Sequence, residues 1–300
     1  MSKTLEGKVV VVTGAGSGIG REFALACAAA GGSVVVNDVA RSPDGIAAAD
    51  AVVDEVRAAG GAAVSHAESV TEPAAAERLI AAALDQFGHL DCVINNAGIV
   101  RDRFFFNMDL EDWRAVIDVN LNAPFYVARA AAPHFRKQAG GSYINMTSTS
   151  GLIGNTGQSN YAAAKMGLAG LSKVIALDMA RYKVRSNCIA PWAWTAMTAG
   201  VPTEDPEQLA RMERVKRMKP ALIAPLAVFL ASDASADVTG QIFGVRANEI
   251  YLFSQPRVIR SVHRSDGWTP ATIAEHAIPA LRSSFADNVA SPTLTTWDPI

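Results

Sequence analysis

The chain comprises 300 residues, of which 50% are hydrophobic, and it carries a formal net charge of −2 at pH 7. This length and composition can bury one large hydrophobic core or two modest ones. The near-neutral charge argues against a general affinity for nucleic acid or for acidic membrane surfaces.

The three cysteines, Cys27, Cys92 and Cys188, lie far apart and lack the spacing of metal ligands. Cys92 and Cys188 fall in apolar, strand-like runs, which favours buried free thiols in a reducing compartment. The N-terminal apolar run is too short for a secretory signal, and no stretch approaches the roughly 20 apolar residues of a membrane span. We therefore predict a soluble cytoplasmic protein without a metal site or a membrane insertion.

Short β-branched runs alternate along the chain with longer, alanine-rich segments of helical period. Strands are predicted at 8–13, 33–38, 62–65, 91–95, 142–147, 184–190 and 240–245. Helices are predicted at about 18–30, 44–59, 72–87, 109–136, 159–181 and 222–232. Apolar strands that alternate with helices indicate a parallel sheet covered on both faces. Right-handed crossovers then give a doubly wound α/β sheet, that is, a Rossmann fold.

Two stretches interrupt this alternation. Residues 191–221 hold four prolines and a charged, helix-like piece, and residues 246–300 follow the last predicted strand. We predict a dinucleotide-binding catalytic domain over 1–245, in which 191–221 forms a substrate loop, and a C-terminal extension over 246–300. The alternative is that both stretches are ordinary surface structure.

A glycine-rich turn joins the first strand to the first helix in VVVVTGAGSGIGREFALA. Gly14, Gly18 and Gly20 allow a tight turn and a close approach of the backbone to a pyrophosphate. The free N–H groups at the start of the following helix would then point at the phosphates. A turn of this kind at the first strand–helix junction predicts a dinucleotide site.

The second strand ends at Asp38, 18 residues after Gly20. A carboxylate at this position accepts hydrogen bonds from the adenosine ribose diol and repels a 2′-phosphate. Ser17 and Ile19 within the turn are not basic, so the sequence predicts NAD rather than NADP. Arg41 would favour NADP only if Asp38 were displaced.

Tyr161 and Lys165 lie four residues apart in YAAAK, which places them on one face of a helix. A free tyrosine titrates near 10, and a neighbouring ammonium or nicotinamide cation would lower that pKa. Tyr161 would then serve as a general acid/base near neutral pH. The alternative is a solvated helix face, because Tyr-x-x-x-Lys often occurs by chance.

Five pieces of sequence occur together across about residues 6–245. They are TGAGSGIG (13–20), NNAG (95–98), Asn120 in VIDVNLNAPF, Ser148 in INMTSTSG and YAAAK (161–165). In this combination the chain resembles the short-chain dehydrogenase/reductase family.

The resemblance implies a role for each of four side chains. Tyr161 would be the acid/base at the substrate oxygen, and Ser148 would donate a hydrogen bond to that oxygen. Lys165 would bind the nicotinamide ribose and lower the pKa of Tyr161. Asn120 would hold a water molecule that continues the proton path.

The predicted cofactor contacts come partly from the glycine-rich turn and partly from the family resemblance. They are Gly14, Ser17, Gly18, Ile19, Gly20, Asp38, Ser69, Val70, Asn96, Ala97, Gly98, Tyr161, Lys165, Pro191 and Thr198.

Further stretches narrow the resemblance to one branch, namely 34–39, 68–70, 95–113 and 154–173. They resemble the (3R)-hydroxyacyl-CoA dehydrogenase module of multifunctional β-oxidation enzymes and bacterial hydroxysteroid or steroid acyl-CoA dehydrogenases. This similarity implies NAD-dependent oxidation of a 3-hydroxyacyl-CoA, and the branch includes substrates whose acyl chain is derived from a steroid. A free hydroxysteroid dehydrogenase is the alternative, and a non-catalytic NAD-sensing protein is a more distant one. The family also implies a homodimer or homotetramer.

The chain departs from the family pattern at three places. Trp192 follows Pro191 where most members have glycine, Ser69 stands where many have Asp, and VRANE (245–249) replaces Val-Asp-Gly-Gly. The indoles of Trp192 and Trp194 would either floor a flat, apolar substrate or serve as structural packing.

A basic cluster lies in the C-terminal stretch and consists of Arg257, Arg260, His263 and Arg264. Arginine suits phosphate geometry, so the cluster would meet the phosphates of a CoA carrier. A solvated surface or an oligomer contact is the alternative.

Overall fold

Eight strands form one sheet in the computed structural model, which describes residues 3–194, 213 and 215–294. The strand order is β3-β2-β1-β4-β5-β6-β7-β8. The strands are β1 Val9–Thr13, β2 Ser33–Asn37, β3 Ala62–His66, β4 Cys92–Asn95, β5 Gly141–Met146, β6 Val184–Trp192, β7 Ile242–Arg246 and β8 Glu249–Leu252. The first seven are parallel, whereas β8 pairs with β7 antiparallel.

Helices connect successive strands and cover both faces of the sheet. They are α1 Gly18–Ala29, α2 Ala48–Ala58, α3 Pro73–Phe87, α4 Leu110–Ile117, α5 Ala123–Gln138, α6 Thr149–Leu152, α7 Ser159–Asp178 and α8 Ala224–Ala231. The described C-terminal part adds α9 Pro270–Thr272, a π-helical turn Ile273–Ala277 and α10 Ile278–Arg282. Short 3₁₀ turns occur at Phe105–Asn107, Ala180–Tyr182, Pro220–Leu222, Asp233–Ser235 and Ser291–Leu294.

Side chains on the two faces of β1 pack into two different hydrophobic cores. Val10 and Val12 pack with one cluster, which includes Phe23 of α1. Val9 and Val11 pack with the other, which includes Leu79 of α3. Alternate side chains of a strand point to opposite faces, and all five residues of β1 are buried. The continuous apolar run in the sequence therefore corresponds to a central strand with helices on both sides.

The order of the strands places a crevice at the carboxyl ends of β1 and β4. From β1 the chain builds toward β2 and β3, and it then returns to add β4 and the later strands on the other side. Ligands of doubly wound sheets bind at such a reversal. The hydroxyl of Thr13 ties the two strand ends together, since it accepts hydrogen bonds from Asn96 N at 3.0 Å and Ala97 N at 3.1 Å.

The structure confirms the predicted fold class and differs in two elements. The helix predicted at 109–136 is interrupted by a π-helical turn, Asp118–Asn122, which separates α4 from α5. Strand β8 was not predicted, because the connection before it contains no glycine and Ala247 instead adopts a φ of +50°. The sheet thus continues into the stretch predicted as a C-terminal extension. Most of the predicted substrate loop, together with Thr198, lies outside the described residues.

Candidate active site

A cleft of about 390 Å³ opens at the carboxyl ends of β1, β2 and β4. It is lined by Gly14, Ser17, Gly18, Ile19, Gly20, Asn37, Asp38, Val39, Ser69, Val70, Thr71, Asn96, Ala97, Gly98, Ile99 and Val119. The fold thus brings together the residues of the glycine turn, the end of β2, the stretch after β3 and the NNAG motif. Tyr161, Lys165 and Pro191 are not among the residues that line this cleft.

The glycine turn leaves no room for a side chain at Gly20. A Cβ atom there would lie 2.2 Å from the carbonyl oxygen of Gly14 and 2.4 Å from Nδ2 of Asn96. That amide donates hydrogen bonds to the carbonyl oxygens of Thr13 and Gly14, both at 3.0 Å. Asn96 of the NNAG motif therefore holds the turn through hydrogen bonds to its backbone carbonyls, and the backbone at the start of α1 stays open to a phosphate group.

The carboxylate of Asp38 is held at the edge of the cleft by two backbone amides. Its Oδ2 accepts a hydrogen bond from Gly16 N at 2.8 Å, and its Oδ1 accepts one from Ala40 N at 2.9 Å. Arg41 is engaged elsewhere, since its guanidinium donates to the carbonyl oxygen of Gly45 at 3.0 Å. The arrangement presents a negative charge where an adenosine ribose would bind.

Lys165 is almost completely buried, with 3% of its surface exposed. Its Nζ donates to the carbonyl oxygen of Met146 at 2.8 Å and lies 5.5 Å from the ring centroid of Tyr161. Burial lowers the pKa of Lys165 to about 8, and the nearby Cys188 acts weakly in the opposite direction. A buried ammonium is disfavoured because it loses its hydration.

The pKa of Tyr161 lies above its ordinary value. Burial of the phenol raises it, the hydroxyl of Ser148 acts in the opposite direction, and the charge of Asp102 raises it further. The sequence predicted a lowered pKa, because that reasoning counted the neighbouring ammonium and not the desolvation of the phenol. In the chain alone, Tyr161 therefore carries its proton at neutral pH.

Ser148 lies two residues beyond the end of β5 and caps the short helix α6. Its Oγ accepts a hydrogen bond from Ser150 N at 3.1 Å and donates a longer one, 3.3 Å, to Ser150 Oγ. Ser148 therefore also serves as the N-cap of α6. Because Ser148 Oγ is the acceptor in the capping hydrogen bond, its hydroxyl proton can still be donated to another oxygen.

Asn120 lies in the π-helical turn and is fully buried. Its Nδ2 donates to the carbonyl oxygens of Ile99 at 2.9 Å and Val116 at 3.0 Å. Its Oδ1 has no hydrogen-bond partner among the described residues. A Cβ atom on Gly98 would lie 2.7 Å from that oxygen and 3.5 Å from Nζ of Lys165. A free buried acceptor beside an ammonium suits a bound water molecule.

The two tryptophans differ in their surroundings. The Trp192 ring packs edge-to-face against Tyr251 of β8, with centroids 5.6 Å apart, and it also lies over Gly244. This contact corresponds to the packing alternative, and it depends on the strand that was not predicted. Trp194 is half-buried, and its backbone N donates to the carbonyl oxygen of Met218 at 2.8 Å.

The basic cluster lies at the surface of the C-terminal part. Arg257 and His263 are exposed. Arg260 donates to the hydroxyls of Ser283 and Ser284, and Arg264 pairs with Asp266 at 3.4 Å. These contacts fit the solvated-surface alternative and leave a role in carrier binding as a hypothesis.

Sequence reasoning missed several polar groups around the site. Asn37 in the cleft donates to the carbonyl oxygens of His66 and Glu68 at 3.1 and 2.9 Å, which joins the ends of β2 and β3. Gln158 joins the hydroxyl of Ser150 at 2.7 Å to Asp102 at 2.9 Å. Asn37 directly precedes Asp38 and Gln158 lies three residues before Tyr161, within the stretches 34–39 and 154–173, and that position is the only signal they carry in the sequence.

Three further features concern the described residues as a whole. No helix within it is long and apolar enough to cross a membrane. Over the same residues no cluster of His, Cys, Asp and Glu has the arrangement of a metal site. All three cysteines are buried free thiols.

Comparison with known proteins gives one family. The family described as "short chain dehydrogenase" matches residues 8–205. A crystal structure of a short-chain dehydrogenase from Mycobacterium avium superposes with a TM-score of 0.85 at 40% identity and covers 95% of this chain and 98% of that one.

Several relatives carry names that state an activity. A hydroxyacyl-CoA dehydrogenase of Mycobacterium tuberculosis is 43% identical, over 98% of this chain and 93% of its own length. The peroxisomal multifunctional enzyme type 2 of Mus musculus is 40% identical, over 90% of this chain and 36% of its own length. A 3-oxoacyl-[acyl-carrier-protein] reductase of Synechocystis is 42% identical, over 80% of this chain and 96% of its own length.

Proposed function

The chain belongs to the short-chain dehydrogenase family, and we propose that it uses NAD to oxidise the secondary alcohol of a 3-hydroxyacyl-CoA to a ketone. An oxidoreductase that binds a nicotinamide cofactor follows from the family. The observation that carries the choice of NAD is the cleft described above. Asp38 and Gly98 both line it, and Gly98 adjoins Asn120 and Lys165.

The residues of the cleft fit a dinucleotide. Gly18 and Gly20 at the start of α1 line the cleft, so their backbone N–H groups can take the phosphates, and Asp38 can accept from the ribose diol. The carboxylate would repel a 2′-phosphate, and Arg41 is turned toward Gly45. These contacts favour NAD. When bound, the cofactor supplies the acceptor for the hydride that leaves the substrate carbon.

The chain supplies the groups that handle the proton. In reduction, Tyr161 Oη donates its proton to the substrate oxygen. In oxidation, Tyr161 first loses its own proton, and the phenolate then takes the proton of the substrate hydroxyl. Ser148 donates a hydrogen bond to the substrate oxygen and so stabilises the charge that develops there. Because burial raises the pKa of Tyr161, its proton must have an exit. Lys165 and a water held by Asn120 Oδ1 provide one.

The substrate class rests on similarity rather than on a described pocket. A relative named as a hydroxyacyl-CoA dehydrogenase matches nearly the whole chain, whereas the named 3-oxoacyl-[acyl-carrier-protein] reductase matches 80% of it. Reduction of a thioester on acyl carrier protein is therefore the second candidate, and a free hydroxysteroid the third. A non-catalytic NAD sensor is the most remote, because Tyr161, Lys165, Ser148 and Asn120 are all present.

We further propose a cytoplasmic homo-oligomer. Large apolar side chains are exposed on the two long helices that the family uses for subunit contacts, namely Phe125 on α5 and Met166, Val174 and Leu177 on α7. A second copy of the chain would cover them. The buried thiols fit a reducing compartment.

The proposal predicts that the carrier contributes to catalysis and not only to affinity. One 3-hydroxyacyl chain is offered as CoA thioester, as acyl carrier protein thioester and as free acid, beside a free hydroxysteroid, and NADH formation is measured. We expect the highest kcat/KM for the CoA thioester and a lower kcat for the free acid, because remote contacts orient the reacting carbon. Equal kcat/KM values for the CoA thioester and the free acid would contradict the proposal that the enzyme recognises the CoA carrier. A hydroxysteroid or a carrier-protein substrate that performs best would select that alternative.

A further inference from the structure

A polar network connects the described C-terminal end of the chain to the catalytic serine. Ser291 is 3% exposed and donates from its hydroxyl to Oδ1 of Asn155 at 2.9 Å. Its backbone N also donates to the carbonyl oxygen of Gly154 at 2.9 Å. Two hydrogen bonds thus fasten the 3₁₀ turn Ser291–Leu294 onto the loop between α6 and α7.

The contact with Ser291 sets the orientation of the Asn155 side chain. An amide can be rotated by 180°, and the hydrogen-bond partners decide which way it points. Because Oδ1 accepts from Ser291, Nδ2 faces Ser150 and donates to its Oγ at 2.9 Å. The tail therefore directs an N–H donor toward the residue that adjoins Ser148.

Ser150 Oγ is the point at which the network meets the catalytic hydroxyl. It donates its own proton to Oε1 of Gln158 at 2.7 Å, and it accepts from Asn155 at 2.9 Å and from Ser148 at 3.3 Å. A hydroxyl has one proton and two acceptor sites. Asn155 fills one of these acceptor sites at short range, which makes the oxygen a poorer acceptor for a second donor, and Ser148 occupies the other site with a long and weak hydrogen bond.

We propose that Ser291 is a positioning residue for Ser148. By holding Asn155 on Ser150, it weakens the competing acceptor of the Ser148 proton and leaves that proton free for the substrate oxygen. Without Ser291, the Asn155 amide loses the hydrogen bond at its Oδ1 and is held only through Nδ2, by Ser150 Oγ at 2.9 Å and by Gln158 Oε1 at 3.3 Å. Its contact with Ser150 then loosens, and Ser150 draws the Ser148 hydroxyl toward itself. The described C-terminal segment thus acts on the catalytic step through hydrogen bonds of Ser291 to Gly154 and Asn155, which are not among the residues that line the cleft. The inference rests on the proposed role of Ser148.

The expected signature is a fall in kcat with little change in cofactor binding. Ser291→Ala should lower kcat by about threefold to tenfold, the size that follows from the net worth of one hydrogen bond. The Kd for NADH should stay within twofold, since Asp38 and the glycine turn lie elsewhere. Asn155→Ala removes the next link and should give a loss at least as large. Ser291→Thr keeps a hydroxyl and should restore most of the activity.

A double-mutant cycle with Ser148→Ala separates positioning from a general structural effect. If Ser291 acts through Ser148, Ser291→Ala should change kcat by less than twofold in the Ser148→Ala background. Rates are measured for reduction of a 3-oxoacyl-CoA by NADH at saturation, with the active fraction fixed by NADH titration. Thr293→Val is the matched control, because it removes a hydroxyl of the same turn that bonds only to the carbonyl oxygen of Ala290.

The outcomes distinguish the inference from the proposed function. Equal losses in both backgrounds, or an unchanged kcat in Ser291→Ala and Asn155→Ala, would overturn the positioning role alone. A loss in the Thr293→Val control as large as that in Ser291→Ala would also overturn it. An undiminished kcat in Ser148→Ala by itself would overturn the role of Ser148, and the positioning role with it.

Discussion

Lys165→Met removes a charge that the fold buries at a cost in stability. The ammonium has one hydrogen bond, to the carbonyl oxygen of Met146, and burial lowers its pKa from 10.5 to about 8. Methionine has a similar length and no charge. A lowered pKa for a lysine means that the folded state releases its proton more readily than the unfolded chain does. Stability should therefore rise with pH between about 8 and 10.5.

The magnitude follows from the two pKa values. The full difference between 10.5 and about 8 corresponds to about 3 kcal/mol, at about 1.4 kcal/mol for each pKa unit. Between pH 7 and pH 9.5 only part of it is gained, about 2 kcal/mol by the same linkage. Neighbouring groups do not titrate in this window, since burial raises the pKa of Cys188 to about 11 and also raises that of Tyr161.

The assay is urea unfolding at pH 7 and pH 9.5 for wild type and Lys165→Met. Wild type should gain about 2 kcal/mol relative to the variant as the pH rises, by the linkage above. Other buried groups, such as Cys27 and Cys92, contribute equally to both proteins and cancel. Lys137→Met, at the exposed end of α5, is the control and should show no such difference. A constant gap between wild type and Lys165→Met across this range would refute the argument that burial lowers the pKa.

Two further predictions concern the reaction. Tyr161→Phe keeps the ring and its packing but removes the proton donor, so kcat should fall by about 10²–10⁴-fold while NADH binding by fluorescence stays nearly unchanged; activity within threefold of wild type would contradict the assignment. Asp38→Ala removes the ribose acceptor and the repulsion of a 2′-phosphate, so the NAD/NADP ratio of kcat/KM should fall. A wild-type enzyme that already prefers NADP would show that Arg41 or another base outweighs Asp38.

The fold could be predicted because buried parallel strands leave a strong pattern. VVVVT is buried at every residue and SVVVN at every residue except Ser33, and only a strand between two layers of helices buries both faces of such a run. The antiparallel strand β8 left no comparable pattern. Its four residues, EIYL, alternate in burial, and the hairpin before it relies on an alanine at positive φ where the usual signal is glycine.

The site could be predicted as a set of residues but not as an electrostatic environment. Spacing places Tyr161 and Lys165 on one helix face, yet it does not reveal how deeply each is buried. Burial decides both pKa values here, because it raises that of Tyr161 and lowers that of Lys165. Desolvation comes from neighbouring strands and helices that are distant in sequence.

Contacts made by the C-terminal stretch are the least visible from sequence. Trp192 follows the proline of a family motif, which suggests a substrate contact, but its ring packs on Tyr251, about 60 residues further along the chain. Ser291 belongs to no motif, yet its hydroxyl donates a hydrogen bond to Asn155. The Ser291 hydroxyl reaches Asn155 only because the tail folds back onto the loop between α6 and α7. The same return implies that changes in this tail should alter turnover before they alter cofactor affinity, because the hydrogen bonds lead from Ser291 through Asn155 and Ser150 to Ser148 and not to Asp38.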